Sequence, residues 1–154
     1  MSLLVASNAC QRELQAVPAS VGVARDWAHA RLCALGLKKE LVQSGMLIMS
    51  ELVTNAVEIS KPTDTVLAYV GLEGDYVNIA AADQYGDRLP TERPTISTLA
   101  EVDGAALEAE FGGWGLPLVK ALAARFWVQP YYPHGRGGPK WVCASLWIGG
   151  GSMR

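Results

Sequence analysis

The sequence has little positive charge to spare. Its 13 Lys and Arg are outnumbered by 15 Asp and Glu, which leaves a formal net charge of −2. A nucleic-acid binder normally carries a basic stripe or patch against the phosphates, so no direct nucleic-acid binding is expected. Cysteine is scarce: Cys10, Cys33 and Cys143 are odd in number and lack C-x-x-C spacing. That argues against a disulfide framework or a zinc site, and for a reducing compartment. No apolar run approaches the roughly 18 residues of a spanning helix, so no membrane segment is expected. The opening MSLLVASNAC has no basic n-region and too short an apolar run for a secretory leader. The expectation is a soluble, cytoplasmic protein.

What is present suits one globular domain. At 154 residues the chain can bury a core without covalent staples. Half the residues are hydrophobic and 18% are charged, which is not the balance of a disordered chain. Five Trp read as core or interface material. No repeat or long linker divides the chain, so one domain over 1–154 is expected, with a core over about 10–148 and GGGSMR fraying at the end.

Periodicity gives a coarse map. A strand is expected over 10–17, then PAS, with Ser20 as N-cap of a helix reaching about Leu35. Gly36 punctuates, and a longer helix covers 39–59 before KPTD breaks it. TVLAYVGLE and YVNIAAAD read as a hairpin around Gly74-Asp75. Positions 84–111 show no strand pattern and a weak helical patch at 96–108; a stretch this long in a compact domain reads as a functional flap. GGWGLPLVKALAARF reads as a helix with Pro117 in its first turn. FWVQPYY and KWVCASLWI form a closing pair of strands around a Gly-rich loop. The expected fold class is α/β: a two-layer sandwich in which helices cover one face of a mixed, mostly antiparallel sheet.

Three stretches bear on chemistry. In SELVTNAVEIS, Glu51, Asn55 and Glu58 share one helical face. That face is either solvent-exposed or a place where a carboxylate and an amide oxygen converge. Hard oxygen ligands suit Mg²⁺, and a Glu one turn away could orient or deprotonate a nucleophile. In AAADQYGDRLP, Asp83 ends an apolar strand. It is either a turn former or a fixed acceptor for an exocyclic amine such as that of adenine. In FGGWGLPLVKALA, Gly113 and Gly115 open a helix, whose free N–H groups suit an anion. The stretch is neither a Walker A loop nor the dinucleotide fingerprint.

Taken in order, these stretches resemble the ATP-binding domain shared by histidine kinases, gyrase-type ATPases and heat-shock chaperones (the GHKL or Bergerat fold). Small size, the P-x-S entry to the first helix, SELVTNAV and GGWGLPLVKALAARFWV look most like the bacterial anti-sigma-factor serine/threonine kinases and their stand-alone relatives. The resemblance implies ATP or ADP with Mg²⁺ as cofactors. It implies Asn55 as the Mg²⁺ ligand, Glu51 as the catalytic residue orienting the attacking group, and Asp83 as acceptor of the adenine amine. Gly86, Gly113, Gly115 and the following Leu116 would contact the nucleotide, with 84–111 as a lid. The implied partners are a sigma factor and an anti-sigma antagonist protein phosphorylated on serine, and the apolar helix faces leave room for a homodimer. A complete histidine kinase is excluded on length.

Three positions depart from the family pattern. A basic residue commonly follows the Asn by four positions, where this chain has Ile59. The Asp83–Gly86 turn is one residue longer than Asp-x-Gly, and Trp141 aligns where a Thr commonly helps hold adenine, so it would stack on the base or fill the pocket. Lys140 and Arg136, in the Gly-rich loop, could contact phosphates or a partner, but exposed loop cations are usually solvated and they are given no site. The alternative to a kinase is a degenerate binding module that captures a sigma factor or other regulator without ATP turnover.

Overall fold

The computed structural model describes residues 7–88, 115–130 and 138–149. Their order is β1 (Ser7–Gln15), α1 (Ala19–Ala34), α2 (Lys39–Ile59), β2 (Thr65–Glu73), β3 (Tyr76–Asp83), α3 (Gly115–Leu122), β4 (Arg125–Pro130) and β5 (Lys140–Trp147). The strands form one sheet in the order β1-β2-β3-β5-β4. All four ladders among the described residues are antiparallel, in keeping with the mostly antiparallel sheet expected. The weak helical patch at 96–108, Gly113, Arg136 and most of the expected flap lie outside the described residues.

Alternation along the strands sorts side chains onto two faces. Val66, Ala68 and Val70 of β2, Val77, Ile79 and Ala81 of β3, and Val142, Ala144 and Leu146 of β5 join the main core with the buried residues of the helices. α2 lies across this face with Ile48, Met49, Leu52, Val53 and Ala56 buried at helical spacing. α1 packs on α2 through Ala24, Ala28 and Leu32, an i, i+4, i+8 stripe small enough for close approach. Gly45 of α2 permits that approach, because a Cβ there would stand 2.5 Å from Leu32 Cδ1. Tyr69, Ala80, Ala82, Trp141 and Cys143 form a separate cluster on the opposite face of the sheet.

α1 begins before Ser20, which is buried inside it and caps nothing; Pro18 occupies the cap with helical φ and ψ, and Ser20 N–H already bonds the Val17 carbonyl. α1 ends in a Schellman arrangement. Gly36, at φ +74, donates to the Cys33 carbonyl and Leu37 to that of Leu32. The left-handed φ is what demands glycine there.

Candidate functional site

The polar face of α2 is not simply wet. Glu51 is only 2% exposed, Asn55 is half-buried and Glu58 is exposed. Ser50 and Thr54 turn their hydroxyls back onto the Met46 and Ser50 carbonyls, so they offer Glu51 no donor. Glu51 Oε2 and Asn55 Nδ2 are buried without a hydrogen-bond partner among the described residues. Buried polar atoms are nearly always satisfied, so two orphans one turn apart mark a place that something else fills. Burial pushes the Glu51 carboxyl up to about 7, and the negative charge of Glu58 adds to the shift. Glu51 also lines a groove of about 360 Å³ between α1 and α2, walled by Val21, Met46 and Leu47 with Arg25 and Thr54 beside them.

Asp83 sits in a different setting. It is the last residue of β3 and lies directly opposite Lys140, the first residue of β5. Both side chains point to the helix-covered face, since they share parity with Ala81 and Val142. The Lys140 ammonium donates to Asp83 Oδ1 and Oδ2 at 2.8 Å each and to the Tyr85 carbonyl at 2.9 Å. The Tyr85 N–H adds a further bond to Asp83 Oδ1 at 2.8 Å. Each side chain of the pair is 1% exposed. Burial drives the Asp83 carboxyl upward, opposed by the Lys140 and Tyr85 hydrogen bonds.

The turn after Asp83 is pinned as well. Gly86 N–H, expected to be free for a phosphate, donates to the Gly138 carbonyl at 2.7 Å. A Cβ at Gly86 would run into that same oxygen, so only glycine allows the approach. The Tyr85 hydroxyl donates to Asp64 Oδ2 at 2.6 Å and holds the Asp64 carboxyl below its ordinary range. Gly115 opens α3, and Leu116 is 4% exposed within the main core.

Two sequence expectations are corrected here. Lys140 is no solvated loop cation: it is the buried partner of Asp83. Trp141 neither stacks over that carboxylate nor fills its slot. It points to the other face of the sheet, packed edge-on against Tyr69 with ring centroids 5.8 Å apart. Strand alternation was the signal that could have found this, because position 140 shares a face with Val142 and Ala144 while 141 goes with Cys143.

The residues therefore fit a Mg–nucleotide unevenly. Asn55 and Glu51 suit its metal–phosphate end, where an amide oxygen and a carboxylate could act beside phosphate oxygens and waters. No cluster of three or more His, Cys, Asp or Glu that could hold a metal by itself occurs among the described residues. The Asp83 end does not fit as it stands, because both carboxylate oxygens are already engaged by an internal ammonium. No helix among the described residues is long and apolar enough to cross a membrane.

Comparison with known proteins agrees with this geometry at the level of fold. The chain is similar to the structure of the RsbU and RsbW domains of Rv1364c from Mycobacterium tuberculosis. That match has a TM-score of 0.60 and 17% identity and covers 90% of this chain, which spans 31% of the longer one. It is also similar to a chain of the SiaB–SiaC complex from Pseudomonas aeruginosa, with a TM-score of 0.56 and 13% identity, covering 89% of this chain and 88% of that one. No curated protein matches the sequence. The histidine kinase-like ATPase domain matches over residues 14–142, from near the end of β1 to near the start of β5, and the chain belongs to that family.

Proposed function

We propose that this protein is a regulator of the anti-sigma-factor kinase type that works by holding a protein partner, without turning over ATP. The partner is a sigma factor or the antagonist protein that competes for it, and the outcome is control of transcription. One observation carries the reading: the carboxylate that would accept the adenine amine is bonded through both oxygens to Lys140. The solved neighbours support the partner class, since one is named for a two-protein complex, SiaB with SiaC, and the other for linked RsbU and RsbW domains.

A second reading keeps kinase activity, and Glu51 Oε2 and Asn55 Nδ2, an acceptor and a donor without partners among the described residues, favour a polar ligand beside them. Phosphoryl transfer in such a site rests on positioning and charge, with Mg²⁺ supplying charge neutralisation on the phosphates. Glu51 would then orient the acceptor hydroxyl, and Asn55 would hold the metal.

The deciding experiment titrates the sigma factors and small antagonist proteins of the source organism against the wild type and Glu51→Ala, with and without MgATP. Capture that needs no nucleotide and survives Glu51→Ala is the expected result. Transfer of labelled γ-phosphate to a partner, abolished by Glu51→Ala, would overturn the proposal in favour of the kinase.

A further inference from the structure

We infer that Lys140 is an internal ligand of the Asp83 slot, standing where an adenine amine would stand, and that removing its ammonium opens a latent purine site. This rests on reading Asp83 as the adenine acceptor, and it adds the residue that keeps the slot shut.

The chemistry is a match of donors. An ammonium has three N–H donors and no acceptor, and all three of Lys140 are used, on Asp83 Oδ1, Asp83 Oδ2 and the Tyr85 carbonyl. An exocyclic amine also offers N–H donors to a carboxylate, so the two compete for the same oxygens. The lysine arrives tethered and needs no association step, which gives it an effective concentration that a free nucleotide has to exceed. Its position is fixed by the strands: Asp83 and Lys140 are directly opposed partners of an antiparallel ladder, so their side chains leave the sheet on the same side. The Gly86–Gly138 bond ties the segment entering β5 to the turn leaving β3, two residues from Lys140. Backbone and side chain thus close the same slot together. Among the described residues the other donor to Asp83 is the Tyr85 N–H, and Trp141 points to the far face.

The slot also carries a selectivity. A carboxylate accepts from the amine of adenine and repels the carbonyl oxygen that guanine presents at the same ring position. Opening the slot therefore yields preference for adenine nucleosides.

The test is calorimetric titration of adenosine, guanosine and MgATP into the wild type, Lys140→Met, Lys140→Thr, Lys140→Arg and the double variant Lys140→Met with Asp83→Asn. Lys140→Met and Lys140→Thr are expected to bind adenosine saturably, at least about tenfold better than guanosine. The wild type and Lys140→Arg are expected to show no saturation at millimolar ligand, and the double variant to lose what Lys140→Met gained. Folded Lys140→Met and Lys140→Thr that stay empty overturn the inference, as does adenosine binding that Asp83→Asn leaves intact. If the single variants do not fold, the wild type decides through its lysine ¹⁵Nζ resonances. An exchange-protected Lys140 ammonium signal unmoved by millimolar adenosine supports the inference, and one displaced by adenosine overturns it. A wild type that binds MgATP through Asp83 sinks this inference, whereas the proposed function falls only if γ-phosphate is transferred to a partner. Empty Lys140 variants beside a wild type that captures its partner sink this inference alone.

Discussion

Replacing Glu51 by Gln tests whether the α2 carboxyl is as isolated as its surroundings imply. Its ordinary value is 4.5 and burial, with Glu58 nearby, raises it to about 7. Between those values the folded protein holds a proton that the unfolded chain has released. The folded state then binds more protons, so stability falls as pH rises. The contribution is full below about pH 4.5 and lost once pH passes about 7. At 1.36 kcal/mol per pKa unit the interval is worth on the order of 3 kcal/mol. The amide of Gln has nearly the same shape and no charge to desolvate. Glu51→Gln should therefore match the wild type near pH 4 and exceed it by about 2–3 kcal/mol near pH 8. For a chain of this size that is a Tm difference of roughly 5–10 °C, appearing only on the alkaline side. Urea unfolding of both proteins between pH 4 and 8 reads the difference directly, and other titrating groups cancel in the comparison. Parallel curves for the two proteins across that range would refute the isolation of Glu51.

Three further outcomes follow from the same packing. Lys140→Met leaves Asp83 buried without its cation and should cost about 3–5 kcal/mol, while a double variant with Asp83→Leu should recover most of that loss; chemical denaturation of the four proteins measures the coupling, and additive losses would contradict a paired core charge. Gly86→Ala forces a methyl against the Gly138 carbonyl and should cost about 1–3 kcal/mol, read as a shift in urea midpoint at unchanged m-value. Trp141→Ala removes the partner of Tyr69 on the far face and should cost about 3–5 kcal/mol without affecting adenosine binding by Lys140→Met; loss of that binding in the combined, folded variant would place Trp141 at the slot after all.

Much of the fold is legible in the sequence because single periods dominate each element. The 3.6-residue stripe of α2 and the near-continuous apolar runs of β2 and β3 on either side of Gly74-Asp75 give those elements their observed bounds, 39–59, 65–73 and 76–83. Boundaries governed by backbone geometry are less legible. Ser20 has the chemistry of a cap, yet Pro18 already holds helical angles, so the first turn closes ahead of it. The site is legible in its parts and not in its pairing. Glu51 and Asn55 share a face by simple angular arithmetic, and their burial confirms only that the face is covered. That Asp83 meets Lys140 depends on the register of two strands 57 positions apart, which no local pattern contains.

The uneven fit has an energetic logic that favours closure over nucleotide. For adenine to reach Asp83 in the wild type, the Lys140 ammonium would have to leave both carboxylate oxygens and the Tyr85 carbonyl. With its side chain 1% exposed, it would remain largely buried without a counter-charge. Stranding one member of a buried pair costs about 3–5 kcal/mol. A hydrogen bond from a neutral amine to a carboxylate returns about 1.5–3 kcal/mol. The deficit of up to a few kcal/mol weakens adenine binding by roughly one to two powers of ten, before any cost of parting Gly86 from Gly138. The α2 end shows the opposite balance. There Glu51 and Asn55 present polar atoms that no described residue satisfies, so an oxygen-rich or hydrogen-bonding visitor gains what the fold leaves unmade. The two ends thus differ in what the fold has already satisfied: both oxygens of Asp83 are taken by Lys140, whereas Glu51 Oε2 and Asn55 Nδ2 have no partner among the described residues.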